Sequence, residues 1–180
     1  MMRVFVAIGL DNQTRKFLVH HQNRISCVSS TGKLTQPENF HLTFEFIGEV
    51  SDRDITQIIE AMDGISSSRF TLTCDSLGKF DRAHRGLWWI HIKTHTILVD
   101  LQKNLRERLR TRGLRTDNGA YTPHITLARE VRMEAQSARS LLSTPIPPFT
   151  FPVDRIHLMQ SSRRNGKLVY ESIHEHVLTL

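Results

Sequence analysis

Several features are scarce in this chain, and each scarcity excludes something. Only two cysteines occur, Cys27 and Cys74. Their separation fits neither a metal-ligand pair nor a redox motif, so no disulfide framework is implied and both are expected as buried or partly buried thiols. No stretch of about 18 apolar residues exists, which argues against a membrane-spanning helix. The short apolar run in "MMRVFVAIGLD" lacks the longer core and cleavage site of a secretory leader, so a cytoplasmic protein is expected. Low-complexity and linker segments are missing too; "STPIPPF" at 143–149, the stretch richest in proline, reads as a loop. Acidic residues are the scarcer charge, 18 against 24 Lys and Arg, and the net charge of +6 favours a polyanionic partner. Much of that excess sits in "RERLRTRGLR", where Arg106, Arg108, Arg110, Arg112 and Arg115 read either as a solvated helix end or as phosphate contacts.

What is present suits one globular domain: 180 residues, 39% hydrophobic and 23% charged. Within it a short pattern occurs twice. In "PENFHLTFEFIGEV" (37–50), His41 and Thr43 share one face of a strand, with Leu42 and Phe44 on the other; in "YTPHITLAREV" (121–131), His124 and Thr126 repeat the arrangement. The two histidines are 83 residues apart, and the surroundings repeat with them. "VFVAIGL" and "LWWIHI" are strand-like, and each is followed by an amphipathic segment, a Pro-containing loop and the His-x-Thr strand. Helix-like "SDRDITQIIEAM" and "MEAQSARSLLS" come next, then strands beginning at Phe70 and at Pro152, and a final strand "KLVYESIHEHVL". Two such units, neither able to cover its own sheet, are expected to pack about a pseudo-twofold axis and bring both motifs to one cleft.

Two imidazoles facing each other, each beside a hydroxyl, suit in-line displacement at phosphorus. One serves as base on the attacking water and the other as acid on the leaving oxygen, and either can hold either protonation state near neutral pH. The threonine hydroxyls would donate to the non-bridging oxygens. No metal or cofactor is needed. The spacing alone does not say which histidine is the acid.

The segments "HLTFEFIGEV", "PHITLAREV", "VFVAIGLD" and "LMQSSRRNGKLVYESI" resemble the two-histidine (2H) phosphoesterase superfamily, specifically its RNA 2′,3′-cyclic phosphodiesterase (bacterial 2′-5′ RNA ligase) branch, across nearly the whole chain. The resemblance implies an α+β fold: one bilobal domain over 1–180, an internal duplication with repeats roughly 1–83 and 84–180, and two antiparallel sheets lining a central cleft with helices outside. It further implies His41 as proton donor, His124 as proton acceptor, and Thr43 and Thr126 as phosphate ligands. The expected substrate is RNA ending in a 2′,3′-cyclic phosphate, tRNA fragments among the candidates, opened to a 2′-phosphomonoester by a monomeric enzyme without metal. ATP-independent 2′-5′ ligation would use the same site. The competing reading is a non-catalytic, basic RNA-binding module of the same fold.

Other residues are less clear-cut. Strict alternation puts Glu45 on the His41 face, although strand twist is expected to turn it to solvent. The same alternation places Arg129, an attractive phosphate or ribose contact, opposite His124 unless the strand bulges. Phe40, Trp88 and Trp89 read as core, with Phe46 and Tyr121 as the aromatics best suited to meet a base. His20, His21, His91, His95, His174 and His176 read as exposed or structural; the last pair, on one strand face, could pick up a metal adventitiously.

Overall fold

A continuous apolar run, Val4 through Ile8, is buried along β1 (Met2–Ile8), and Asp11 then caps α1 (Asn12–Val28) by accepting the Thr14 amide at 2.7 Å. In this computed structural model, which describes residues 1–82 and 85–179, the chain continues through β2 (Ser29–Leu34), a 3-10 turn at Pro37–Asn39, β3 (Leu42–Val50) and α2 (Asp52–Asp63). Ser51 and Asp54 form a reciprocal capping box at the start of α2. The second half runs β4 (Phe70–Arg82), β5 (Arg85–Ile92), α3 (Thr96–Thr111), β6 (His124–Met133), α4 (Ala135–Ser143), β7 (Phe149–Val153), β8 (Arg155–Arg164) and β9 (Lys167–Val177). The expected junction between the repeats, at 83 and 84, lies outside the described residues.

The strands form two antiparallel sheets, ordered β3-β1-β8-β9 and β2-β6-β5-β4-β7. The orders correspond. Each sheet has a His-x-Thr strand beside the strand that opens its half, β3 beside β1 and β6 beside β5. The next strand is contributed by the other half, β8 in the first sheet and β4 in the second. The bilobal duplication is therefore interlocked: neither sheet can be completed by one half of the sequence. No helix among the described residues is long and apolar enough to cross a membrane.

The structure departs from the sequence reading at three points here. Ser29–Leu34, expected as part of a loop, is an exposed edge strand paired to β6. The single strand expected from Pro152 is two, because the chain leaves the second sheet at Val153 and enters the first at Arg155. Cys74 is buried as expected, but Cys27, in the last turn of α1, points away from the face that buries Leu18 and Ile25 and is exposed.

Candidate active site

The two motif strands carry the same irregularity. In β3, Thr43 pairs with Ala7 but Glu45 pairs with Val6, so Phe44 and Glu45 together oppose one residue of β1. In β6, Thr126 pairs with Trp89 but Ala128 pairs with Trp88, so Leu127 and Ala128 do the same against β5. A two-on-one bulge of this kind resets the alternation of faces. Past it, Phe46 in β3 and Arg129 in β6 return to the cleft side, where they line one cavity together with His41 and Thr43. Arg129 thus joins the site because its strand bulges.

The same bulge corrects the reading of Glu45. It lies neither beside His41 nor in solvent: it is 2% exposed and faces α3. Its carboxylate accepts from Gln102 Nε2 at 2.7 Å, Arg106 Nε at 2.9 Å and the Asp117 amide at 2.9 Å. At the other bulge, Gln22 of α1 is buried and donates to the carbonyls of Leu127 and Thr35, both at 2.8 Å. One glutamine from each long helix thus holds each bulge. A buried polar residue on an otherwise apolar helix face was the available signal for both, and the sequence reading missed it.

Both imidazoles are oriented by backbone. His41 Nδ1 lies 2.7 Å from the Asn39 carbonyl, and His124 Nδ1 lies 2.7 Å from the Thr122 carbonyl. A carbonyl can only accept, so each Nδ1 carries a hydrogen and each Nε2 is left for proton transfer. The His41 Nε2 is 3.1 Å from Thr43 Oγ1. Asn39 is itself tied down, its side chain donating to the Leu168 carbonyl at 2.8 Å. Rings complete the mounting: Phe5 packs 4.8 Å from His41 and Tyr170 meets it edge-on at 5.1 Å. On the other side Phe80 stands edge-on to His124 at 5.5 Å, with Trp89 at 5.7 Å.

Electrostatics push both histidines toward the neutral form. Burial lowers the pKa of His41 to about 4, opposed by the Asn39 hydrogen bond and assisted by the positive charge of Arg129, by His124 and by Arg15. The pKa of His124 is also lowered, by burial first and by Arg129. In the free protein the imidazolium form is disfavoured on both sides, and an anion between them is the natural counter-charge.

The cleft measures about 550 Å³ on the His41 side, where Arg3, Arg129, Arg163 and Tyr170 join His41, Thr43 and Phe46. Thr126 lines the adjoining cavity with His41, Arg129, Lys33 and Lys167. A third cavity of about 390 Å³ contains His124, Tyr121, Phe80 and again Thr43. All six residues singled out as site candidates therefore border connected space around Thr43 and His41. Tyr170 and Arg3 were not singled out; the pairing of β8 and β9 onto β1 brings Tyr170 and Arg163 in beside Arg3.

The aromatics divide differently from expectation. Phe40 and Trp88 are core and Phe46 is 42% exposed, but Trp89 is half-buried on the cleft side, its ring lying over Gly78. A Cβ at Gly78 would sit 2.2 Å from that ring, so only glycine fits there. Tyr121 donates to the Thr43 carbonyl at 3.3 Å. The arginine run is largely engaged locally: Arg108 with Asn104, Arg110 with Thr116 and Asn118, and Arg112 with the Arg108 carbonyl. His174 and His176 both approach Asp63, at 2.8 and 3.4 Å, yet among the described residues no group of three His, Cys, Asp or Glu side chains is arranged to hold a metal.

A family model described as the 2′-5′ RNA ligase superfamily matches residues 35–165. An Escherichia coli protein named RNA 2′,3′-cyclic phosphodiesterase is 28% identical over 179 residues, which span 98% of this chain and 97% of that protein. A Thermotoga maritima protein of the same name is 25% identical over 179 residues, covering 97% and 94%. Among solved structures, Escherichia coli LigT complexed with 3′-AMP matches with a TM-score of 0.80 at 27% identity, covering 99% of this chain and 98% of that one.

Proposed function

Because the chain belongs to the 2′-5′ RNA ligase superfamily, we propose that it is an RNA 2′,3′-cyclic phosphodiesterase that opens a terminal cyclic phosphate to a 2′-phosphomonoester. The observation that carries this reading is the pair of imidazoles in the same tautomer, each with Nδ1–H held by a carbonyl two residues back, His41 bordering the cavity that holds Arg129 and His124 the neighbouring one, with Thr43 in both.

The arrangement accounts for each step of the hydrolysis. A cyclic phosphate monoanion entering between Arg129 and the two threonines supplies the negative charge that the free site lacks. That charge raises the proton affinity of the adjacent imidazoles, so one of them takes a proton as substrate binds. With the roles that the family resemblance assigns, neutral His124 removes a proton from water through Nε2 as the oxygen attacks phosphorus. The P–O3′ bond breaks in line, and protonated His41 gives its Nε2 proton to O3′. Arg129 and the hydroxyls of Thr43 and Thr126 hold the charge spread over the non-bridging oxygens. A 5′-hydroxyl of RNA in place of water gives a 2′-5′ linkage without ATP, since the strain of the five-membered ring replaces an activated donor. Two imidazoles and a guanidinium fill every role, so the scheme uses no metal.

The test is hydrolysis of a nucleoside 2′,3′-cyclic phosphate in excess chelator, with the product identified as the 2′-phosphate. His41→Ala and His124→Ala should each lower turnover by roughly 10²-fold or more. The double variant should be little worse than either, because the two groups act as a unit. Binding without turnover by the intact protein would instead support the RNA-binding module.

A further inference from the structure

We infer that the aromatic shelf beside His124, formed by Phe80 over Trp89, is an acceptor subsite that stacks the first nucleobase of a second RNA end, one carrying a free 5′-hydroxyl. The inference rests on the phosphodiesterase reading above and adds to it which nucleophiles the site selects.

The two sides of the cleft differ in charge. Around His41 stand Arg3, Arg129 and Arg163, suited to a nucleotide that trails a phosphate backbone. The cavity at His124 contains one arginine among the described residues, Arg106, and its guanidinium is taken up by Glu45 and the Gly119 carbonyl. Its volume of about 390 Å³ is in the range of small-ligand sites. A nucleoside end without phosphate suits that space; a polyanion does not.

The shelf is built as a surface. Gly78 leaves room for the Trp89 ring to lie over β4, and Phe80 packs 5.0 Å from Trp89 while remaining 38% exposed. Water, the nucleophile of hydrolysis, has nothing to stack there. In-line displacement puts whatever carries the attacking hydroxyl on the side of the base, His124, opposite the leaving O3′. A base stacked on Phe80 would hold its own 5′-hydroxyl near His124 Nε2. The transfer is balanced: O5′ loses its proton to His124 and bonds to phosphorus, the P–O3′ bond breaks, and O3′ takes the proton of His41. The product is a 2′-5′ phosphodiester with a free 3′-hydroxyl, and no other reactant is consumed.

The experiment measures how one RNA 2′,3′-cyclic phosphate partitions between water and an added 5′-hydroxyl oligonucleotide, with either a normal or an abasic first residue. The protein should give more 2′-5′ product with the normal acceptor than with the abasic one. Phe80→Ala should lower the ratio of transfer to hydrolysis by roughly tenfold with the normal acceptor, the loss of about one base–aromatic stack. It should leave the abasic ratio near its original value, because any loosening of His124 slows transfer and hydrolysis alike and cancels in the ratio. Phe80→Leu, which keeps apolar bulk and discards the ring, should act in the same direction. A raised KM for the nucleoside cyclic phosphate with an unchanged ratio would overturn the inference and give the shelf to the terminal nucleotide. So would a ratio indifferent to the acceptor's base, or no transfer at all. Absence of cyclic phosphate hydrolysis by the unaltered protein would instead remove the phosphodiesterase reading itself, a separable result.

Discussion

Glu45, two positions beyond Thr43 in the first motif, forms a buried ion pair with Arg106, its Oε2 accepting Arg106 Nε at 2.9 Å. The pair joins the first motif strand to α3, and the same carboxylate accepts the Asp117 amide in the loop leading to the second motif. Breaking such a pair from one side leaves a charge without its partner. Glu45→Ala should cost about 3–5 kcal/mol in denaturant unfolding, and a combined Glu45→Met, Arg106→Met variant markedly less. Because the Glu45 carboxylate is taken up by Gln102, Arg106 and the Asp117 amide and makes no contact with His41, the folded fraction of the single variant should retain its turnover. A large fall in turnover with unchanged stability would show a carboxylate that acts on His41 after all.

Arg129 makes a different prediction, since its charge faces both imidazoles. Arg129→Ala should lower kcat/KM for a nucleoside cyclic phosphate on the order of 10²–10³-fold, the usual effect of removing one donor to a developing oxyanion. Its charge also depresses the pKa of both His41 and His124. The variant should therefore keep its remaining activity to higher pH than the parent. An activity loss with an unmoved pH profile would place Arg129 farther from the histidines than the structure does.

Why some of this was legible in the sequence and some was not has a physical basis. His41, Thr43, His124 and Thr126 could be read because strand periodicity is local and because an 83-residue repeat shows against it. The bulges could not, since a two-on-one mismatch is a relation to a neighbouring strand and neither Phe44 nor Leu127 marks it. That single omission misplaced Glu45 and left Arg129 undecided. The exchange of β4 and β8 between sheets is equally nonlocal, and it is what carries Tyr170 to His41 and Phe80 to His124.

The basic residues can be sorted by salt dependence. Arg108, Arg110 and Arg112 are held by groups on and just after α3, whereas Arg163 and Lys167 border the cavities at His41. Neutralising Arg163 and Lys167 together should raise KM for an RNA of several nucleotides and reduce the log–log salt slope by about two, while a mononucleotide is affected less. Neutralising Arg108, Arg110 and Arg112 should leave that slope as it was. The reverse pattern would move the RNA path onto α3.

The pH profile tests the electrostatics of the pair directly. Catalysis needs one neutral and one protonated imidazole, so kcat/KM should follow a bell bounded by the two ionisations of the free protein, which belong to the pair. Burial and Arg129 lower both, His41 to about 4, so above the ordinary histidine value of about 6.5 both rings are already neutral. The alkaline fall in kcat/KM should therefore begin below pH 6.5. Bound phosphate opposes those causes and lets the acid keep its proton, so the alkaline limb of kcat should lie at higher pH than that of kcat/KM. The same shifts bear on stability: a histidine whose pKa is depressed by folding contributes fully above about 6.5 and loses that contribution as pH falls toward about 4. His21, lowered to about 4 mainly by burial, adds in the same direction. Unfolding free energy should accordingly drop between pH 6.5 and 4, and His41→Asn should drop less steeply. A kcat/KM profile flat to pH 8, with no difference between His41→Asn and the parent in acid, would show that neither imidazole is held neutral by its surroundings.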